Sequence, residues 1–329
     1  MRVLIVRLSS LGDVVHAAPV VADIHAALPG TTIDWVAEEA FVPLVRCIHG
    51  VERVVPVALR RWRRQWRASA DERRAALATL QAERYDAVID LQGLVKSAVV
   101  SRLARVRAGG VRAGLANRTD GSAYEPLARW AYGLPVTMPP HIHVTARSRR
   151  LAAAALGYAE HGPPRIDWQP PPPLAADAPW ADPRAVWLVH GSAKPVKLLD
   201  AGFWAAIAQA LVAEGWRVML PWGLDAERER SQAIAALARG GDAVQVPPRL
   251  PLDRLTSVLQ HSAGSIGLDT GLSHLSATLG RPSVQLFLED KAWRAAIDWM
   301  PRTQALQATD AAPITAERAL AAWRAVAVA

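Results

Sequence analysis

Short runs of apolar, often β-branched residues alternate along this chain with longer stretches whose apolar positions recur every three or four residues, and the alternation runs through twice. In the first half, the runs at 3–6, 32–36, 51–57 and 87–90 read as strands, followed by helical patterns at 14–28, 41–48, 71–83 and 94–106. In the second half, strands at 185–189, 217–220, 243–246, 265–268 and 283–287 alternate with helices at 203–213, 226–238, 252–260 and 271–279. Strands alternating with helices of this length predict βαβ units and parallel sheets. The expected fold class is α/β, with two doubly wound, Rossmann-like domains facing each other across a central cleft. Ligands of such sheets bind beyond the carboxyl ends of the strands, so the loops leaving those ends are where chemistry is sought.

Between the halves, residues 163–183 hold 8 of the 24 prolines, including the run Pro170-Pro171-Pro172-Pro173. Proline removes backbone donors and favours extended structure, so this stretch reads as a semi-rigid linker. The expected domains are 1–165 and 184–315, with a Pro-rich linker at 166–183 and a closing helix at 316–329 that in such a fold often packs back toward the first domain.

At 51% hydrophobic and 21% charged residues over 329 positions, the chain is globular and long enough for two cores. The single cysteine, Cys47, excludes an internal disulfide or a cysteine-based zinc site and reads as a buried small apolar residue. No stretch approaches the roughly 18 apolar residues of a membrane span, and the charged start does not read as a secretory signal, so a soluble, cytoplasmic protein is expected. The net charge of +8 is unevenly placed. Residues 1–170 carry 23 Lys and Arg against 15 Asp and Glu, while the remainder carries 15 of each. An anionic partner is expected for the first half.

Four loops carry candidate chemistry. The segment Arg7-Leu8-Ser9-Ser10-Leu11-Gly12-Asp13 lacks the glycine pattern of a dinucleotide or phosphate-binding loop. Asp13 there is either a helix N-cap or a general base for an acceptor hydroxyl. Arg60-Arg61-Trp62-Arg63-Arg64-Gln65-Trp66-Arg67 offers planar forks for phosphate or carboxylate oxygens. Stacking aromatics between arginines also suit single-stranded nucleic acid, but no nucleic-acid module accompanies them, so no nucleic-acid partner is expected. His190-Gly191-Ser192-Ala193-Lys194-Pro195-Val196-Lys197 follows the first strand of the second half, where Lys197 is placed to neutralise a diphosphate. Asp269-Thr270-Gly271-Leu272-Ser273-His274 passes from strand into helix, whose first backbone N–H groups and dipole favour a diphosphate. His141 and His143 lack further ligands at metal spacing and read as surface histidines, so no metal is expected.

Taken together, Met1–Val6 leading into Ser9–Val14, Asp34-Trp35-Val36-Ala37-Glu38-Glu39, Arg60–Arg64, the run from Tyr85 to Ser97, Pro221-Trp222-Gly223 and Asp269–His274 resemble the lipopolysaccharide heptosyltransferase I family, ADP-heptose glycosyltransferases of the GT-B fold. The similarity follows most of the chain in order. It implies inverting transfer of L-glycero-D-manno-heptose from ADP-heptose to the inner Kdo of Kdo2-lipid A, without a cofactor or a required metal, at the cytoplasmic face of the inner membrane. Position by position, it implies that Asp13 is the general base and that Ser10, Arg60, Arg61, Arg63 and Arg64 meet the anionic acceptor. Lys197 would serve catalysis and face the donor diphosphate, with Ser192, Glu227, Asp269, Thr270, Gly271 and His274 completing the donor site.

Several positions depart from the family pattern. Ser192 replaces a threonine and keeps its hydroxyl, whereas Ala193 replaces a second threonine and does not. Lys197 is followed by Leu198-Leu199, and Leu288-Glu289-Asp290-Lys291-Ala292-Trp293 stands where a small flexible turn is usual. Acidic residues near a diphosphate are expected to weaken its binding by repulsion. These departures keep two other readings open: a heptosyltransferase for a different core acceptor, or a homologue that binds donor without turnover.

Overall fold

The computed structural model describes residues 1–192 and 197–328. The chain forms two compact units, Met1–Gln169 and Pro170–Ala329. In the first, six strands, β1 (Arg2–Val6), β2 (Thr32–Glu38), β3 (Val51–Val57), β4 (Arg84–Asp90), β5 (Arg105–Leu115) and β6 (Leu134–Val136), form one sheet in the order β3-β2-β1-β4-β5-β6. In the second, β7 (Ala185–Val189), β8 (Arg217–Met219), β9 (Val244–Gln245), β10 (Gly264–Leu268), β11 (Ser283–Phe287) and β12 (Thr303–Gln307) are ordered β12-β11-β10-β7-β8-β9. Every pairing is parallel. Counted from its own first strand, each sheet has the same doubly wound order, and strand order reverses between β1 and β4 in one and between β7 and β10 in the other. These two switch points are where such sheets bind ligands.

Each sheet is covered on both faces, which is why its central strands are apolar without alternation. In the first unit Leu4, Val6, Val36, Val55 and Val88 share a core with Trp62, Leu80 and Tyr85. In the second, Val186, Leu188, Ile266 and Leu286 pack with Trp204 and Trp323. Burial of each large side chain contributes roughly 1.5–3 kcal/mol. Trp323 belongs to the helix Ala316–Val328, which packs on the helix Ala201–Ala213 and on β10, β11 and β12. Cys47 is buried, its thiol directed at the Pro43 carbonyl. Among the described residues, no helix is long and apolar enough to cross a membrane.

The elements differ from the pattern at identifiable places. The expected helix 14–28 starts earlier and is split into Leu11–Ala17 and Pro19–Ala27, because Pro19 has no N–H to continue the first helix. The stretch 41–48 is a 3₁₀ turn, Glu39–Phe41, followed by the single helical turn Val42–Val45. The expected helix 94–106 ends at Leu103, since Ala104 is extended and the chain enters β5. With Arg105, Arg107, Gly109 and Gly110 breaking its apolar run, β5 lacks a strand pattern. β6, β12 and the helix Val144–Leu156 were likewise outside the pattern reading.

Candidate functional site

In the first unit, β1 delivers Arg7 to the switch point and the helix Leu11–Ala17 begins immediately after it. Ser10 is the N-cap and Asp13 the third helical residue, so the capping role expected for Asp13 is only its reciprocal half. Asp13 Oδ2 accepts from the Ser10 backbone N–H at 3.0 Å and from Ser10 Oγ at 2.9 Å. Its other oxygen lies 2.5 Å from the guanidinium of Arg7. Burial pushes the Asp13 carboxyl up, but Arg7, the two Ser10 hydrogen bonds and the charge of Arg147 outweigh it and hold the group below the ordinary carboxylate value. At 32% side-chain exposure the carboxylate is still reachable from solvent. Arg7 is itself buried and donates to the Leu91 carbonyl at 2.5 Å, while the Leu8 N–H donates to Gln92 Oε1 at 2.9 Å. The loops after β1 and β4 are thereby locked together.

Behind those loops, Asp90 is fully buried. It accepts from the Gln92 and Gly93 N–H groups and from the Tyr132 hydroxyl, which shapes the turn that starts the helix Val95–Leu103. That helix carries Lys96, whose ammonium donates to Ser9 Oγ at 3.3 Å. Burial, then Arg60, lowers the Lys96 ammonium against the opposing pull of Glu38 and Glu125. Burial likewise raises Glu38, against the fields of Lys96 and Arg60. Arg60, Lys96, Arg7 and Asp13 therefore share one electrostatic neighbourhood at the switch point. No role was assigned to Lys96, Arg7, Glu38 or Arg147 from sequence. Lys96 was findable, because it stands just past the end of β4, the strand beside β1.

The arginine cluster is a helix, Leu59–Arg64, and its members have different surroundings. Arg61 is bound by Glu39 and Glu72, at 2.9 and 2.8 Å, and Trp62 is buried with its indole N–H on Glu72. Arg60, Arg63 and Arg64 are exposed. His141 is exposed beside Asp120, while half-buried His143 accepts from the Thr145 N–H at the start of the helix Val144–Leu156.

In the second unit, β7 leads into His190, Gly191 and Ser192. Ala193, with the segment through 196, lies outside the described residues, and Lys197 follows. A Cβ at Gly191 would stand 2.7 Å from Glu227 Oε1, so only glycine lets this loop approach that carboxylate so closely. Glu227 Oε2 accepts from the Gly223 and Leu224 N–H groups at 2.8 and 3.2 Å, capping the helix Asp225–Ala238, and Oε1 is the oxygen turned toward the Gly191 loop.

Lys197 donates to the side chain and carbonyl of Asp269 at the end of β10, with a Glu289 oxygen 3.9 Å away. Leu198 and Leu199, which depart from the family pattern, pack on the core of the second sheet and so anchor the chain beside Lys197. Thr270 stands at the N-cap position of the helix Gly271–Thr278 but its hydroxyl makes no cap bond, and the first N–H groups of the helix have no partner within it. Gly267 allows this helix to sit close to β10 and β7: a Cβ there would meet Ser273 Oγ at 2.2 Å and Val189 Cβ at 2.6 Å. His274 Nε2 faces Asp269 Oδ1 at 3.2 Å. Burial pushes Asp269 up, but His274 and Lys197 outweigh it and hold the carboxylate well below the usual range. The repulsion expected from the Leu288–Trp293 segment is partly offset, since Glu289 pairs with Lys291 at 2.7 Å and Asp290 accepts from Gln307.

The structure thus brings Lys197, Asp269, Thr270, Gly271 and His274 together at one switch point and places Asp13, Ser10 and Arg60 at the other. The arrangement around Lys197 and Asp269 suits a diphosphate, which a lysine and a helix N-terminus can hold. The arrangement around Asp13 suits an anionic molecule with a hydroxyl at that carboxylate.

Residues 73–312 match the model of glycosyltransferase family 9 (heptosyltransferase). The chain is 40% identical over 293 residues to lipopolysaccharide heptosyltransferase 1 of Escherichia coli (strain K12), covering 87% of this chain and 88% of that one. It is 39% identical over 297 residues to the Pseudomonas aeruginosa protein of the same name, covering 87% of this chain and 78% of that one. Among solved structures it is similar to E. coli heptosyltransferase WaaC with ADP, at a TM-score of 0.84 and 34% identity over 99% of this chain and all of the other. Two six-stranded parallel sheets, the GT-B pair of domains, carry these likenesses almost from end to end, and the chain belongs to glycosyltransferase family 9, the heptosyltransferases.

Proposed function

We propose that the protein transfers L-glycero-D-manno-heptose from ADP-heptose to the inner Kdo of Kdo2-lipid A, with inversion at the anomeric carbon and without a required metal. The observation that carries this reading is the convergence of Lys197, Asp269 and His274 at the opening of the helix Gly271–Thr278, in a chain about 40% identical to relatives named lipopolysaccharide heptosyltransferase 1. A solved WaaC structure similar over 98% of this chain holds ADP-2-deoxy-2-fluoro heptose, which supports ADP-heptose as donor. In this reading the donor diphosphate takes the helix N-terminus and draws the Lys197 ammonium from Asp269, leaving Asp269 to accept from sugar hydroxyls. Lys197 and the backbone N–H groups then stabilise the charge that develops on the departing ADP. Ser192 and Glu227 Oε1 supply further donor contacts, the latter to the ribose.

The acceptor half uses the first unit. Asp13, already ionised and oriented by Arg7 and Ser10, receives the proton of the Kdo hydroxyl as the new glycosidic bond forms. Arg60, Arg63, Arg64 and Lys96 meet acceptor anions, and Arg61 does so only by exchanging its two glutamates.

Contact with the membrane surface in which the acceptor lies is supported by an exposed apolar patch. Val99 and Leu103 lie one turn apart on the helix Val95–Leu103, which carries Lys96, and Leu127 and Trp130 lie one turn apart on the 3₁₀ helix Pro126–Ala131 packed against it. The Arg102 guanidinium lies 5.8 Å from the Trp130 ring centre and joins the two rows. Tryptophan and leucine flanked by arginine suit an anionic lipid interface.

The test separates binding from chemistry. Asp13→Asn should lower turnover on Kdo2-lipid A by more than about 10³-fold, within the range of general-base contributions, while calorimetry finds ADP-heptose affinity within about twofold of the parent. Lys197→Ala should weaken the donor itself. Near-parental turnover by Asp13→Asn would remove Asp13 as the base, and ADP-heptose binding without any product from the parent enzyme would make the protein a binding homologue.

A further inference from the structure

Behind the donor loop runs a chain of hydrogen bonds whose direction is fixed at its far end. The backbone N–H of Ile297 donates to Gln285 Oε1 at 2.8 Å. A backbone N–H can only donate, so that side of the Gln285 amide is its carbonyl and the NH₂ faces the other way. The NH₂ group lies 2.9 Å from His274 Nδ1, and since it too can only donate, Nδ1 is the accepting nitrogen. The imidazole proton is then on Nε2, which donates to Asp269 Oδ1. Asp269 Oδ2 receives Lys197. Gln285 and His274 are buried, and nothing in this sequence of bonds depends on a freely rotating group.

We propose that Gln285 is a positioning residue for the donor site: it fixes the Nε2–H tautomer of His274 and, through it, the rotation of the Asp269 carboxylate that holds Lys197. With the other neutral tautomer, the lone pair of Nε2 would face the carboxylate at 3.2 Å. The Asp269 carboxylate would turn away, and Lys197 would lose its register with the opening of the helix Gly271–Thr278. Among the described residues, the ion pairs at this place join Asp269 with His274, Lys197 with Asp269, and Glu289 with Lys291 and Lys197. Gln285 is the neutral group that orders them. This inference rests on the donor-site reading given above.

Three variants and two readouts test it in the full-length enzyme. Gln285→Leu keeps an apolar side chain in the space but removes the donor to Nδ1. Gln285→Glu keeps the bond from Ile297 and presents an oxygen to Nδ1, which favours a proton there. ¹⁵N NMR of histidine-labelled protein should show His274 as the Nε2–H tautomer in the parent, mixed in Gln285→Leu, and protonated at Nδ1 in Gln285→Glu. The donor KM should rise about tenfold in Gln285→Leu, the scale of one lost hydrogen bond, and kcat should fall as well, because Lys197 also meets the charge on the departing ADP. Gln285→Asn, which is too short to span Ile297 and His274 together, should not restore KM. An Nδ1–H tautomer in the parent, or an unchanged tautomer in both Gln285→Leu and Gln285→Glu, overturns the proposal. So does a mixed tautomer with parental donor KM. Absence of turnover with ADP-heptose in the parent would count against the functional reading instead, while the NMR result would still decide the tautomer.

Discussion

At the scale of single residues, two titratable groups make predictions of opposite kind. Asp13 is held below the ordinary carboxylate value, chiefly by Arg7 and Ser10 acting against burial. It is therefore ionised throughout the neutral range, and its contribution to stability is present above its unfolded value and lost as pH falls through the lower folded one. The acid limb of kcat/KM assigned to Asp13 should accordingly fall below about pH 4. A profile in which Asp13→Asn removes an inflection near neutrality would contradict the assignment. His190, wholly buried against Ser231, is pushed down to about 4 by burial, with the Arg230 charge adding to the effect. The unfolded chain binds that proton from about pH 6.5, so stability should decline between about pH 6.5 and 4, by about 3 kcal/mol for this group, and level off below. Urea unfolding across that range should show a shallower decline for His190→Gln than for the parent. Equal slopes would exclude His190 as the cause.

At the scale of elements, the donor half depends on how closely the helix Gly271–Thr278 is seated. Gly267→Ala would drive a methyl into Ser273 Oγ and Val189 Cβ, at 2.2 and 2.6 Å. Overpacking of this kind costs about 1–3 kcal/mol, and because the displaced helix carries the proposed phosphate-binding N–H groups, ADP affinity should fall with stability. Thermal unfolding with and without ADP checks both, and parental stability in Gly267→Ala would show that the helix has room to move. The same scale explains what the sequence made legible. The central strands were visible because parallel strands covered on both faces are continuously apolar, as at Val3–Val6 and Ala185–Val189. The strands β5, β6 and β12 were not: arginine and glycine interrupt β5, proline interrupts the short β6, and the polar Thr303, Gln304 and Gln307 break up β12, so only pairing with a neighbour defines them. The loops of the site were legible from position, being the ends of strands at the switch points. Their inner partners were not: Gln285 reads as one polar residue inside a buried strand, and Lys96 as one charge on a helix, until the neighbouring strands bring His274 and Ser9 beside them. The departures in the family pattern also acquire causes. Leu198 and Leu199 are core contacts, and the Leu288–Trp293 segment is tied by Gln307, which accepts from the Ala292 N–H and donates to Asp290.

At the scale of the whole molecule, the excess positive charge belongs to the first unit, and the structure shows how unevenly it is available there. Asp34 absorbs Arg2 and Arg53, Asp23 absorbs Arg149, and Arg61 is divided between two glutamates. Arg60, Arg63 and Arg64 remain exposed, and the patch of Val99, Leu103, Leu127 and Trp130 is shared between the helix Val95–Leu103 and the 3₁₀ helix Pro126–Ala131. If this face meets an anionic bilayer, Leu127→Ser with Trp130→Ser should weaken co-sedimentation with anionic vesicles several-fold while leaving ADP-heptose affinity unchanged. Undiminished vesicle binding would assign membrane contact elsewhere. The neutral second unit needs no such surplus under the proposed function, in which a helix N-terminus and Lys197 hold one diphosphate. The most direct test of the account is to incubate the purified protein with ADP-heptose and Kdo2-lipid A and follow both products by mass spectrometry. The account predicts Kdo2-lipid A carrying one added heptose, with the inverted anomeric configuration and one ADP released per heptose transferred. Unmodified Kdo2-lipid A in the presence of bound ADP-heptose would contradict it.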